Sequence, residues 1–104
     1  MKSTRTKALE IPKSVKEAVY RRDKEHCVNC GRWCDISNSC CHFIARSQGG
    51  LGIEENILTL CQYCHSIYDN SEHRQRLKEK FRKYLKKNYK EWDERKLYYN
   101  KWNN

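Results

Sequence analysis

The sequence lacks any long hydrophobic run. No stretch of it approaches the roughly 20 apolar residues that a membrane-spanning helix needs, and the amino-terminal residues lack the apolar segment of a secretory signal peptide. Internal repeats and low-complexity tracts are also absent. We therefore expect an intracellular, cytoplasmic protein without a membrane partner. In that compartment thiols stay reduced, and cysteine pairs bind zinc more often than they form disulfides.

Apolar residues are scarce as well. They make up 38% of the 104 residues and the mean hydropathy is −1.10, so we expect a single domain with a small core. Such a domain needs another source of stability. Seven cysteines are available, and their odd number argues against a complete set of intramolecular disulfides. Bound metal is the better expectation.

Acidic residues are few, and the positive charge is unevenly placed. The chain has 22 Lys and Arg against 13 Asp and Glu, a net charge of +9, and residues 74–90 hold nine Lys or Arg against one Glu, which leaves +8 there. Leu77, Phe81 and Leu85 recur at helical spacing, which predicts a basic amphipathic helix over about 72–90. Such a patch binds nucleic-acid backbones without sequence preference, although a charge run can also be a solvated face. The candidate phosphate contacts are Arg46, Arg74, Lys78, Arg82 and Lys86.

The two ends of the chain have different compositions. Residues 1–11 are mostly polar and basic, and we expect a flexible arm there. A single folded domain is expected over 12–104, and Ser14 with Glu17 forms a capping-box pattern that predicts the start of its first helix. The segment 91–104 is rich in aromatic residues, so we expect it to pack back on the domain.

The middle of the chain predicts two strands followed by a helix. Residues 40–44 and 56–60 have the composition of strands. Between them, 46–52 contains three of the four glycines and predicts a loop. A helix is expected to follow and to end near Asp69, with Ser71 as the N-cap of the basic helix. The predicted fold is therefore α+β.

Four of the cysteines form two Cys-x-x-Cys pairs, Cys27 with Cys30 and Cys61 with Cys64, and 30 residues separate the pairs. Together they supply four thiolates, the closed tetrahedral shell of structural zinc. The gap is longer than in a simple zinc ribbon, so a substructure must lie between the pairs. We predict structural Zn²⁺, whose binding free energy, on the order of 10 kcal/mol or more, replaces part of the missing core.

The residues between and after these pairs resemble those of the HNH endonuclease family. The resemblance covers residues 27 to about 69 and rests on the segments 42–50 and 56–65 together with the cysteine pairs. Small phage-encoded members are the most similar. The resemblance implies a zinc-braced ββα-metal finger over about 27–70 and a DNA endonuclease that leaves 3′-hydroxyl and 5′-phosphate ends. Phage relatives also suggest packaging proteins such as a terminase as partners.

The resemblance assigns roles to individual polar residues. Phosphodiester hydrolysis needs an activated water, and a neutral imidazole, which titrates at about pH 6.5, can accept its proton, so His42 is the expected base. Asn56 is expected to hold the loop or the His42 ring through its side-chain amide. His65 is expected to bind a catalytic divalent metal, a Lewis acid for the phosphate. Asp69, four residues later on the same helical face, is either a second ligand or a helix-ending residue.

Cys41 departs from the family pattern. The residue before the base is usually Asp or His and binds the catalytic metal, and a thiolate is a poor ligand for Mg²⁺. If Cys41 does bind, Mn²⁺, Ni²⁺ or Zn²⁺ is favoured over Mg²⁺. Otherwise it is a small buried residue, which is the interpretation we favour. We expect Cys34 and Cys40 to be structural or exposed thiols. A non-catalytic zinc module that binds nucleic acid is the alternative to a nuclease.

Overall fold

The computed structural model describes residues 3–100 and has the α+β composition that the sequence predicts. Its main elements are α1 (Thr4–Leu9), α2 (Lys13–Arg22), β1 (Cys40–His42), β2 (Ile57–Thr59), α3 (Gln62–Asn70) and α4 (Arg74–Asn88). Short 3₁₀ turns lie at 36–38, 46–48, 54–56 and 94–97. None of the helices within residues 3–100 combines the length and the apolar composition needed to cross a membrane.

The two strands pair in antiparallel orientation, with Cys41 opposite Leu58. Helix α2 packs against both strands. Each strand is shorter than predicted. Strand β1 ends at His42 because the backbone N–H and C=O of Ile44 bond to the side-chain amide of Asn56 instead of to a strand. The pair is therefore a short platform from which a loop departs next to His42.

The amino-terminal segment, where we expected a flexible arm, contains a helix in its described part, residues 3–11. Helix α1 lies there, and Leu9 is buried. The backbone N–H of Gly52 donates to the carbonyl oxygen of Ala8 at 3.0 Å. The described part of the segment is held because the side chain of Leu9 and the carbonyl group of Ala8 both find partners in the folded domain.

The ends of the helices also correct the expected capping pattern. Helix α2 begins one residue before Ser14, and Pro12 at the N-cap makes no side-chain hydrogen bond, so the predicted capping box does not form. The φ of −62° at Pro12 suits this entry to a helix. Ser71 lies between the two helices: its hydroxyl donates to the carbonyl oxygen of Ile67 at 2.6 Å and accepts from the backbone N–H of His73 at 3.0 Å. His73 occupies the N-cap of α4.

The core lies between the sheet, α3 and α4. Helix α4 falls inside the predicted range of 72–90, and its apolar stripe of Leu77, Phe81 and Leu85 is fully buried. Tyr68 of α3 meets Phe81 edge to face, with ring centroids 5.1 Å apart. The basic face of α4 is therefore held on the domain by its apolar side.

The C-terminal segment lies against this core. Trp92 contacts the ring of Phe43, with centroids 5.8 Å apart, and its Nε1 donates to the carbonyl oxygen of Glu55 at 2.8 Å. Leu97 is buried. Trp102, which we expected in the same cluster, lies outside the described residues. The packing of this segment therefore depends on Trp92 and Leu97 within the part of the chain that the structure describes.

A buried carboxylate ties the helices to the sheet. Asp23, at the end of α2, accepts hydrogen bonds from the guanidinium of Arg22 at 2.8 and 2.9 Å and from the backbone N–H of Thr59 at 2.9 Å. The hydroxyl of Tyr84 in α4 donates to the same carboxylate. Burial alone would lower the pKa of Arg22, but the hydrogen bonds and charge of Asp23 raise it above its usual value. Asp23 therefore joins α2, β2 and α4.

We predict that Asp23→Ala lowers the free energy of unfolding by about 3–5 kcal/mol, because it leaves Arg22 buried without its partner and the N–H of Thr59 unpaired. Chemical denaturation of the zinc-loaded protein measures the change. The control is Arg95→Ala, which breaks an exposed pair with Asp93 and should leave the midpoint unchanged. Equal midpoints for Asp23→Ala and the wild type would contradict the prediction.

Candidate metal centres and basic surface

Two groups of potential metal ligands come together in residues 3–100, and the first contains the four paired cysteines. The sulfur atoms of Cys27, Cys30, Cys61 and Cys64 all lie within 4.8 Å of one another. The sulfurs of Cys30 and Cys61 are 3.7 Å apart, and a tetrahedral ion with Zn–S bonds of about 2.3 Å separates its sulfurs by about 3.8 Å. The cluster therefore fits a structural metal such as zinc, in agreement with the prediction from the spacing.

Hydrogen bonds to sulfur favour the thiolate form of Cys27, whereas burial raises the pKa of Cys64 to about 12. The backbone N–H of Cys30 donates to the sulfur of Cys27, and that of Cys64 to the sulfur of Cys61, each at 3.4 Å. The side-chain amide of Asn29 donates to Cys64 at 3.3 Å. Burial alone would raise the pKa of Cys27, but backbone hydrogen bonds, that from Cys30 first, lower it to about 7. Thiolates are the form that binds metal.

Cys34 and Cys40 belong to neither group of ligands in the described part of the chain. Cys34 is buried, its thiol donates to the carbonyl oxygen of Arg32, and burial raises its pKa to about 11. Cys40 is half-buried, and burial raises its pKa as well. Both are therefore structural thiols that favour the protonated form.

The second group of ligands joins β1 to α3. Its three ligand atoms lie within 4.8 Å of one another: the sulfur of Cys41, a ring nitrogen of His65 and a carboxylate oxygen of Asp69. The Nε2 atom of His65 is 3.0 Å from a carboxylate oxygen of Asp69. Cys64, one residue before His65, belongs to the first group. Because successive residues lie about 100° apart around a helix, α3 presents ligands to two separate groups.

The donor set of the second group fits a borderline or soft divalent ion. Sulfur, imidazole nitrogen and carboxylate oxygen suit Mn²⁺, Ni²⁺ or Zn²⁺ better than Mg²⁺. Burial, followed by the negative charge of Asp69, raises the pKa of Cys41 far above its usual value, so metal binding must displace a proton. Cys41 is buried, whereas His65 and Asp69 are 33% and 46% exposed. The group is therefore open toward solvent on the side of α3.

The His42 ring is restrained by a hydrogen bond, and its pKa is lowered. Its Nε2 atom lies 2.9 Å from the carbonyl oxygen of Leu9. Burial lowers the pKa of His42, the hydrogen bond to Leu9 opposes this, and the positive charge of Arg46 lowers the pKa further. An imidazole of this kind can accept a proton. Sequence analysis missed the contribution of Leu9, because its acceptor is a backbone atom that no residue pattern reveals.

Asn56 holds the loop and makes no hydrogen bond to the His42 ring. Its side chain is fully buried, and its Oδ1 accepts from the backbone N–H of Ile44 at 2.8 Å. Its Nδ2 donates to the carbonyl oxygens of Ile44 and Leu51, at 3.2 and 2.8 Å. Of the two roles that the resemblance implied for Asn56, these contacts fit the bracing of the loop.

Two of the candidate phosphate contacts adjoin the second ligand group. Arg46 and Arg74 line a cleft of about 420 Å³ together with Asp69. Arg74 also donates to the carbonyl oxygen of Tyr68 at 2.9 Å, and its guanidinium lies 4.5 Å from the centre of the Tyr68 ring. These contacts place positive charge beside Asp69, and they hold Arg74 in place from the amino-terminal end of α4.

The other candidate phosphate contacts differ in availability. Arg82 donates to the carboxylate of Glu94 at 2.6 Å and also pairs with Glu79. Its charge is therefore engaged within the protein, and its contact with phosphate stays a prediction. Lys86 is exposed on the following turn, and Lys78 is half-buried. The basic face of α4 thus depends on its lysines more than on Arg82.

Comparisons with known proteins add no family assignment. No family model matches the chain, and no curated protein matches it. The interpretation of both ligand groups therefore rests on their geometry and chemistry.

We predict that Cys27→Ser loses bound zinc and unfolds the domain, because the metal contributes on the order of 10 kcal/mol to folding. Cys34→Ser, the matched control, removes a buried thiol outside the cluster and should keep both zinc and fold. Metal analysis and thermal melting of the two variants test this. A folded Cys27→Ser protein without zinc would contradict a structural role for the cluster.

Proposed function

We propose that the protein is a metal-dependent DNA endonuclease that hydrolyses phosphodiester bonds to 3′-hydroxyl and 5′-phosphate ends. The observation that supports this most is the second ligand group. Cys41, His65 and Asp69 bring their ligand atoms within 4.8 Å of one another. A module that only binds nucleic acid has no need for this arrangement.

In this proposal His42 accepts a proton from the attacking water. Its lowered pKa favours the neutral imidazole, which is the form that can act as a base. Asn56 keeps the backbone of Ile44 and Leu51 in place. The loop after β1 therefore has a defined course next to the base, which favours a fixed geometry for the reacting groups.

The second ligand group supplies the site for the catalytic metal. Cys41, His65 and Asp69 would hold it, and a bound divalent ion acts as a Lewis acid on the phosphate and stabilises the departing oxygen. The exposed side of His65 and Asp69 leaves room for phosphate and water. Catalytic metal sites keep such open positions, whereas structural zinc sites are closed by protein ligands.

The basic residues would position the DNA. Arg46 and Arg74 line the cleft that Asp69 shares, so a phosphate bound there would lie next to the metal ligands. Exposed lysines such as Lys86 extend the positive surface along α4. Contacts of this type orient a nucleic-acid backbone but carry no sequence information. We therefore propose binding with little sequence preference.

A zinc-braced module that binds nucleic acid without cutting it is the second candidate. The observation that favours it is the burial of Cys41, which raises the pKa of its thiol and disfavours the thiolate that a metal requires. Cleavage assays separate the two candidates directly, because only the endonuclease converts supercoiled plasmid.

We predict that His42→Ala reduces plasmid cleavage by about 10²- to 10⁴-fold, the typical contribution of a general base. The assay compares Mg²⁺, Mn²⁺, Ni²⁺ and Zn²⁺ added in turn. Zinc content and thermal melting should match the wild type. His73→Ala is the matched control, since His73 is exposed and its side chain makes no capping hydrogen bond, and this variant should cut normally.

Equal cleavage by His42→Ala and the wild type would remove His42 from the mechanism. Binding of plasmid by both proteins, with cleavage by neither, would favour the module that only binds nucleic acid.

We predict that the wild type cuts faster with Mn²⁺, Ni²⁺ or Zn²⁺ than with Mg²⁺, and that Cys41→Asp shifts the preference toward Mg²⁺, because it replaces sulfur by oxygen. Cleavage rates with each metal test this. Cys40→Ser is the matched control, since it removes the adjacent thiol that belongs to neither ligand group. The same order of metals in wild type and Cys41→Asp would show that Cys41 does not select the ion.

A further inference from the structure

The ring of His42 is held by a segment from the other end of the chain. Its Nε2 atom lies 2.9 Å from the carbonyl oxygen of Leu9, 33 residues earlier. This carbonyl belongs to the last residue of α1, where helical carbonyl groups have no partner within the helix. The neighbouring carbonyl of Ala8 accepts from the N–H of Gly52 at 3.0 Å. Two carbonyl groups that have no partner within α1 are therefore bound by the domain that carries His42.

The chemistry of this contact determines which ring nitrogen carries the proton. A carbonyl oxygen only accepts hydrogen bonds, so the Nε2 of His42 must be the donor. In a neutral imidazole one nitrogen is protonated and the other holds a lone pair. The contact with Leu9 therefore leaves the lone pair on Nδ1, and that atom is the one able to take a proton from water.

The segment is docked by close packing as well as by hydrogen bonds. Leu9 is 2% exposed and is the one fully buried side chain within residues 3–11. Gly52 admits the backbone of this segment, because a Cβ at position 52 would lie 1.8 Å from the carbonyl oxygen of Glu10. Further along, Ile11 lines a cleft of about 320 Å³ together with His65. The segment thus extends from the base to a candidate metal ligand.

We propose that residues 4–11 are a positioning element of the catalytic site, in which the carbonyl oxygen of Leu9 orients the His42 ring and selects the tautomer with its lone pair on Nδ1. This inference rests on the proposed nuclease function and names the part of the chain that prepares its base. Leu9 is a positioning residue in this scheme, since it acts through His42. An isolated helix as short as α1 is unstable in water, so its place depends on this docking.

The test replaces the docking side chain and keeps every charge that could bind DNA. Leu9→Ala removes most of the buried contact, whereas Leu9→Met, the matched control, conserves its volume. The ¹⁵N chemical shifts of the His42 ring, measured at neutral pH on zinc-loaded protein without added catalytic metal, report the tautomer. We expect a ring protonated at Nε2 in the wild type and in Leu9→Met, and a mixture of tautomers in Leu9→Ala.

Cleavage kinetics provide the second measurement. We expect the kcat of Leu9→Ala to fall by about 10- to 100-fold, because a misplaced reacting group slows the chemical step. The affinity for DNA should be unchanged. Gly52→Ala is an independent variant that displaces the same segment through the backbone of Glu10, and it should reproduce both effects. Leu9→Met should cut like the wild type.

Several results would overturn the proposal. A His42 ring that is protonated at Nδ1 in the wild type would overturn the proposal without any variant. This result remains decisive if Leu9→Ala and Gly52→Ala fail to fold. Wild-type ring signals and wild-type kcat in both folded variants would remove the positioning role and leave the nuclease proposal intact. Absence of cleavage by the wild type itself would instead overturn the nuclease proposal, and the positioning role with it.

Discussion

The arrangement of this protein depends on the convergence of four cysteine sulfurs on one point. Cys27 and Cys30 follow α2, whereas Cys61 and Cys64 begin α3, and the 30 residues between the pairs contain both strands and the glycine-containing loop. With all four sulfurs within 4.8 Å of one another, these segments cannot separate without breaking the cluster. In a small domain with limited apolar burial, a metal held there restrains the chain where a larger core would otherwise be required.

The same cluster sets the orientation of α3 and therefore of the second ligand group. Cys64 is held toward the first cluster, and Tyr68, one turn later, is buried with its hydroxyl donating to the carbonyl oxygen of Phe43. His65 and Asp69 lie on an adjacent side of the helix and meet Cys41 of β1. Cys64, which belongs to the first group, and His65, which belongs to the second, are neighbours in sequence. The two groups are thus linked through a single helix.

Local patterns predicted some features well and others poorly. Each Cys-x-x-Cys pair and the apolar stripe of α4 were predictable, because each depends on residues within a few turns of the chain. Ser71 shows the limit, since its hydroxyl donates to Ile67 of α3 and also accepts from the N–H of His73, and it is His73 that occupies the N-cap of α4. Arg82 belongs to a clear run of positive charge, yet its carboxylate partner Glu94 comes from the C-terminal segment. Charge patterns do not reveal such partners.

The residue types and their spacing already specify the chemistry of the first cluster, because two residues between paired thiolates set their reach within a single turn. They also specify the amphipathic character of α4, since helical periodicity is a local property of the chain. Contacts between distant segments have no such local signal. Packing of separate elements brings Cys41 to His65 and Asp69. It also brings His42 to the carbonyl oxygen of Leu9. The second ligand group and the contact that orients the His42 ring are therefore properties of the folded chain.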